Sequence, residues 1–280
     1  MTAVLQISQS DRRRFCRLRE RQYELSDFLF WNVSLTLSAN YTRRRHERWL
    51  RKLARRFARM GVDTLIVHNE TEYSFGAPLT RWGLRQLDFE QTFAQTKLAL
   101  ANRFFEILPK PVSELTLVVY DRDAAYADEP WLRELVFRAS RVSVICAEPE
   151  RYEGFCEWAL TERGAGVTLS RPFELDFEAD VLVVLSGAEG IVRNRLIRRQ
   201  GIVLNLDGEY EPRHDDPQKL ISPVFEPRRA PVDYAASLLS REDLLLLLTE
   251  NLGSDAVTVA LKGREGELDR ALASKLLHWA

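Results

Sequence analysis

The chain has 280 residues, 45% of them hydrophobic and 10% aromatic, which excludes wholesale disorder and leaves room for one large or two ordinary domains. No apolar run approaches the roughly 20 residues of a spanning helix, and Cys16, Cys146 and Cys156 are an odd set without CxxC spacing, which argues against a disulfide framework or a zinc knuckle. A net charge of −1 hides an asymmetry: residues 1–60 carry fifteen Arg/Lys against five Asp/Glu, and the rest of the chain 25 against 36.

That asymmetry suits a basic face for nucleic acid or another anionic surface, or a basic segment packed on an acidic one in the same molecule. The opening MTAVLQISQSDRRRF has its charges after a short apolar stretch, the reverse of a secretory signal, so a soluble cytoplasmic protein is expected.

In chain order, Ser8, Ser10 and Asp11 read as a helix start, continued by a stripe through Phe15, Leu18 and Leu25. WNVSLTLS then alternates, with Trp31, Val33, Leu35 and Leu37 on one face, which predicts a half-buried strand. Residues 42–60 switch to helical spacing, with Trp49, Leu50, Leu53, Phe57 and Met60 inward and arginines around the rest. Gly61 stops that helix and VDTLIVH follows as a strand, so 31–68 reads as a βαβ unit. A loop with Gly76, Pro78 and Gly83 leads to a long helix capped by Asp88. Pro109 and Pro111 mark a linker, because two prolines in three residues cannot continue a helix.

Beyond it strands and helices alternate, as a parallel sheet with right-handed crossovers requires. The strand Leu115–Tyr120 precedes a helix from Pro130 with Trp131, Leu132, Leu135 and Val136 inward. VSVICA, a helix over about 150–162, VTLS, VLVVLSG, a short helix at 191–199 and IVLNLD complete the series. Residues 211–231 hold five prolines and read as an extended surface crossing. A helix capped by Ser240, a strand AVTVALKG and a last helix end the chain.

The resulting expectation is an α/β chain of two domains. An N-terminal α/β domain with the basic helix covers 1–110, and a Rossmann-like parallel sheet covers 111–212. The remaining 213–280 cross over and pack helices back on the junction.

Three segments carry a resemblance over about a third of the chain: CAEPERYEGFCEWALTERGAGVTL, ADVLVVLSG and RRQGIVLNLD. In that order, residues 115–207 resemble the nicotinamide-binding domain of shikimate dehydrogenases and methylenetetrahydrofolate dehydrogenases. The resemblance implies a ribose-gripping carboxylate at the end of the second strand, where Glu148 stands.

One departure matters as much as the match. A dinucleotide needs a G-x-G-x-x-G turn whose backbone N–H groups reach the diphosphate. Residues 121–129 contain no glycine and set Asp121, Asp123, Asp128 and Glu129 against the single cation Arg122. A like charge at close range costs on the order of 4 kcal/mol in an effective dielectric of about 20. The phosphate turn is degenerate, so no cofactor is expected and NAD(P) is disfavoured. The alternative is an NAD(P)-dependent oxidoreductase with an unusual cofactor loop.

Ligands of open parallel sheets bind beyond the carboxyl ends of the strands. The candidate ligand residues are therefore Glu148, Ser186, Gly187 and Asp207, with Glu72 from the facing domain. His68, Asp121 and Asp123 are the catalytic candidates. A histidine at a strand end suits acid–base work near neutral pH, but more often it is only a hydrogen-bonded residue. Asp121-Arg-Asp123 is also similar to the DxD of haloacid-dehalogenase-type phosphotransferases, with Ser186 and Asp207 or Asp215-Asp216 as later participants. The blander reading of that loop is a solvated acidic turn. No three histidines have ligand spacing, so no metal site is expected.

Arg44, Arg48 and Arg55 on the basic helix are anion-binding candidates, set against a solvated face on a helix packed by its own sheet. The leading expectation is a divergent, noncatalytic or catalytically altered Rossmann-like protein that binds a small-molecule ligand or a protein partner. An anion- or nucleic-acid-binding protein using the arginine helix is the reading from another class.

Overall fold

The computed structural model describes residues 1–10, 12, 16–68, 79–172, 179–187, 201–207, 219–229 and 234–278. The chain divides into two compact units, Met1–Thr92 with Glu226–Thr258, and Phe93–Phe225 with Val259–Ala280.

The first unit opens with three strands, β1 (Thr2–Ser10), β2 (Cys16–Leu25) and β3 (Phe28–Ser38). The helix expected from Ser8 onward is replaced by strands β1 and β2, each of which pairs with β3. The reason is period. Along β2, Arg17, Arg19 and Arg21 face solvent while Cys16, Leu18 and Glu20 turn inward, an alternation of two that a helix cannot use. Ala3, Val4 and Leu5 of β1 are fully buried, as a central strand flanked on both sides must be. β2 turns into β3 through Ser26 and Asp27, with Ser26 in the left-handed region at φ 54°.

Helix α1 (Arg43–Arg59) follows and buries His46, Leu50, Leu53, Ala54 and Phe57. Next come β4 (Thr64–His68), β5 (Arg85–Leu87) and the start of α2 (Phe89–Ile107), whose first turn donates the Gln91 N–H to Asp88 Oδ1 at 2.9 Å. The sheet order is β2-β3-β1-β4-β5. β1 runs parallel to both β3 and β4, so the β3–α1–β4 crossover spans one intervening strand. Val33, Leu35 and Leu37 meet Leu50, Leu53 and Phe57 in the core between sheet and helix.

The second unit holds β6 (Thr116–Asp121), α3 (Pro130–Arg138), β7 (Arg141–Ile145), α4 (Glu153–Arg163), β8 (Val167–Ser170), β9 (Val181–Ser186), β10 (Ile202–Asn205) and β11 (Leu220–Pro227). After it come α5 (Arg241–Leu252), which belongs to the first unit, then β12 (Val257–Gly263), β13 (Gly266–Glu267) and α6 (Arg270–His278).

The expected surface crossing over 211–231 is corrected in part: residues 220–227 form β11, with Leu220 to Phe225 buried. Pro223 falls beyond Leu220 and Ile221, the two residues of β11 that pair with β10. The expected helix at 191–199 lies outside the described residues.

The sheet runs β13-β12-β11-β10-β9-β6-β7-β8, and every pair from β8 to β11 is parallel. Counted within the series, that is third, second, first, fourth, fifth, sixth, the order of a doubly wound dinucleotide-binding sheet. The second unit is Rossmann-like. Both faces are covered, which explains the continuous apolar runs. Leu117, Val119, Val142 and Val144 meet Trp131, Leu132, Leu135 and Val136 on one side, and Val118, Tyr120, Leu182 and Val184 lie on the other. Burying each large side chain stabilises by about 1.5–3 kcal/mol as an upper bound. No helix among the described residues is long and apolar enough to cross a membrane.

Candidate functional site at the carboxyl ends of the parallel strands

The strand order reverses between β6 and β9, and the turn leaving β6 begins there. Asp121 is fully buried at the end of β6, opposite Ser186 across a register shift. Four donors converge on its carboxylate. Oδ1 accepts the Ser186 hydroxyl at 2.7 Å and the Ala125 N–H at 3.2 Å. Oδ2 accepts the Tyr152 hydroxyl at 2.6 Å and the Tyr126 N–H at 2.8 Å. A buried carboxylate is tolerated only with such a shell. The turn winds around its own side chain. Ala124, 1% exposed, takes the left-handed region at φ 50° to make this possible, and its N–H reaches the Asp121 carbonyl at 3.1 Å.

These backbone N–H groups belong to the turn that would face a diphosphate in a dinucleotide-binding domain. Ala125 and Tyr126 spend theirs on Asp121 instead. The turn is also laced to both neighbouring strands. The Arg122 carbonyl accepts the Ala147 N–H beyond β7 at 2.9 Å, and the Asp123 N–H donates to Ser186 Oγ at 3.1 Å. The Asp123 carbonyl accepts from the Arg151 guanidinium at 2.8 Å.

Gly187 explains why Arg122 lies where it does. Its φ is +74°, and a Cβ there would stand 2.7 Å from Arg122 Cβ and Cδ. Only glycine permits both the backbone and the close approach.

Electrostatics keep the surrounding groups neutral. Burial pushes the Tyr152 phenol far above its usual value, and the hydrogen bond to Asp121 adds to this, so it stays a donor. Burial also raises the Cys146 thiol, helped by the charges of Asp121 and Glu150, which makes a thiolate nucleophile unfavourable.

The remaining candidates of the second unit lie past the same strand ends. Glu148 is exposed three residues beyond β7, and Asp123 is exposed in the turn. Asp207 is half-buried two residues beyond β10, its N–H on Asn205 Oδ1 at 3.2 Å. Asp121, Asp123 and Ser186 are joined by direct hydrogen bonds. Glu72, Asp215 and Asp216 lie outside the described residues.

In the first unit, His68 ends β4, and its Nδ1 lies 2.8 Å from Oδ2 of Asp243, a buried residue in the first turn of α5. Ser240 caps that helix by accepting the Asp243 N–H at 3.1 Å. Arg44, Arg48 and Arg55 are exposed along α1. Sequence reasoning missed Tyr152 and the partner of His68. The only signal for Asp243 was its place three residues after the Ser240 cap.

The sequence matches no protein-family profile and no curated protein. Among solved structures, it is similar to an L-tryptophan dehydrogenase from Nostoc punctiforme, at 14% identity and TM-score 0.37, over 64% of this chain and 51% of that one. It is also similar to a chorismate mutase/shikimate 5-dehydrogenase fusion protein from Clostridium acetobutylicum, at 10% identity and TM-score 0.29, over 74% of this chain and 77% of that one. The chain thus spans about half the length of the first.

Proposed function

We propose that this chain is a divergent Rossmann-like protein that binds a small molecule or a protein partner at the carboxyl ends of β6, β7, β9 and β10, without a conventionally seated dinucleotide. One observation carries the reading. The Asp121 carboxylate takes up the N–H groups of Ala125 and Tyr126 and the hydroxyls of Ser186 and Tyr152. The chain's own anion thereby has the donors that a diphosphate would need. A cofactor seated there would have to break these bonds and bring its charge beside a buried carboxylate. The buried Tyr152 and Cys146 are held protonated, so neither is a ready base or nucleophile.

A thermal-shift series with NAD, NADP and ATP, each with and without magnesium, tests the reading. The expected result is no stabilisation. A ligand at about 100 times its Kd stabilises by about 2.7 kcal/mol, so a rise of several degrees with NAD or NADP would point to the oxidoreductase alternative.

A further inference from the structure

On the first unit, α1 and the β2–β3 edge of the sheet line a half-open cavity of about 340 Å³ that the proposed function does not use. Leu18, Leu35, Leu53 and the ring of Trp49 supply its apolar lining. Lys52, Arg55, Arg56 and Arg59 surround it with positive charge. Arg56 is bridged to Glu20, Nε to Oε1 at 2.5 Å. Among the described residues, no carboxylate bridges Lys52, Arg55 or Arg59. Lys52 Nζ instead sits 4.6 Å from the centre of the Trp49 ring.

Two features select the ligand class. Among the described residues three cations have no bridging carboxylate, which favours an anion, and the leucines beside Trp49 offer a place for an apolar body attached to it. The size fits the lower end of small-molecule pockets, which run from about 300 to 1,000 Å³. A polyanion such as nucleic acid would need only the outer stripe of Arg44, Arg48, Arg51 and Arg55 and would gain nothing from the apolar lining. The buried Phe57, fully removed from solvent, cannot serve as a membrane anchor.

We infer that this cavity is a binding site for a small amphipathic anion, an aromatic or aliphatic group carrying a carboxylate, sulfonate or phosphate. The apolar part lies against Trp49 and Leu53, and the acidic head meets Arg55, Arg59 and Lys52. The site is independent of the Rossmann-like unit, so it stands whether or not that unit takes a dinucleotide.

Calorimetric titration of the full chain with naphthalene-1-sulfonate at low salt is the test, with naphthalene and inorganic sulfate as the apolar-only and charge-only comparators. The expected result is saturable binding of the sulfonate that exceeds both comparators and weakens at least about tenfold in Arg55→Glu/Arg59→Glu and in Trp49→Leu. Circular dichroism checks that each variant is folded. Failure to bind, or binding untouched by either variant, overturns the proposal. So does a twenty-nucleotide oligothymidylate that binds more tightly than the sulfonate and depends on Arg44 and Arg48 rather than on Trp49, since α1 would then be a nucleic-acid surface.

Discussion

The Tyr152 hydroxyl donates to Asp121 Oδ2 at 2.6 Å, which ties the start of α4 to the end of β6 across 31 residues. Both side chains are fully buried. Replacing Tyr152 by Phe leaves the ring packing in place and removes one donor to a charge. Hydrogen bonds to charged groups contribute about 1.5–3 kcal/mol, so that loss is expected in chemical unfolding. Ser186→Ala removes a donor to Oδ1 and an acceptor for the Asp123 N–H, with an expected cost of about 1–3 kcal/mol. The double variant should be non-additive, because both act on one carboxylate.

Asp121→Asn is the sharper probe. The amide would have to aim its NH2 at one pair of donors, either Ser186 and Ala125 or Tyr152 and Tyr126. We expect a loss of about 3 kcal/mol or more, the scale of breaking a buried charge network, read from the midpoint of denaturant unfolding.

Gly187→Ala should lower the melting temperature. The positive φ alone costs about 1–2 kcal/mol for any residue with a Cβ. Contact with Arg122 adds to this, so part of the loss should be recovered in an Arg122→Ala background. Equal losses in the two backgrounds would remove the steric share of the argument.

His46 makes the first unit sensitive to acid. It is 1% exposed, and burial holds its imidazole below the usual value of 6.5, against a smaller opposing effect of the Ser38 backbone. The folded chain therefore holds the neutral form down to a lower pH than the unfolded chain, which takes up a proton near 6.5. Stability is full above that pH and falls as the solution is acidified below it. Unfolding at about pH 7.5 and at about pH 5.5 should show the decline, and His46→Leu should flatten it.

Much of the fold was legible because periodicity survives tertiary packing. The inward set Trp131, Leu132, Leu135 and Val136 is buried as its spacing implies, and the unbroken VLVVLS run is a strand covered on both faces. The Ser240 cap was readable from local chemistry. The first 25 residues misled, since Ser8, Ser10 and Asp11 offer cap chemistry beside a charged stretch whose true period is two. The site was harder. The acids of 121–129 were visible, but not that Asp121 would fold back onto the N–H groups of its own turn. His68 and Asp243 stand 175 residues apart, and no local pattern links them.

The most direct measurement is of the two turn amides themselves. In nitrogen–proton correlation spectra, the Ala125 and Tyr126 signals should stay in place as NAD is titrated to millimolar concentration, because both N–H groups are already bonded to Asp121. A saturable shift of both signals, with the shift growing as the cofactor binds, would mean that a diphosphate displaces the carboxylate, and the account would be wrong.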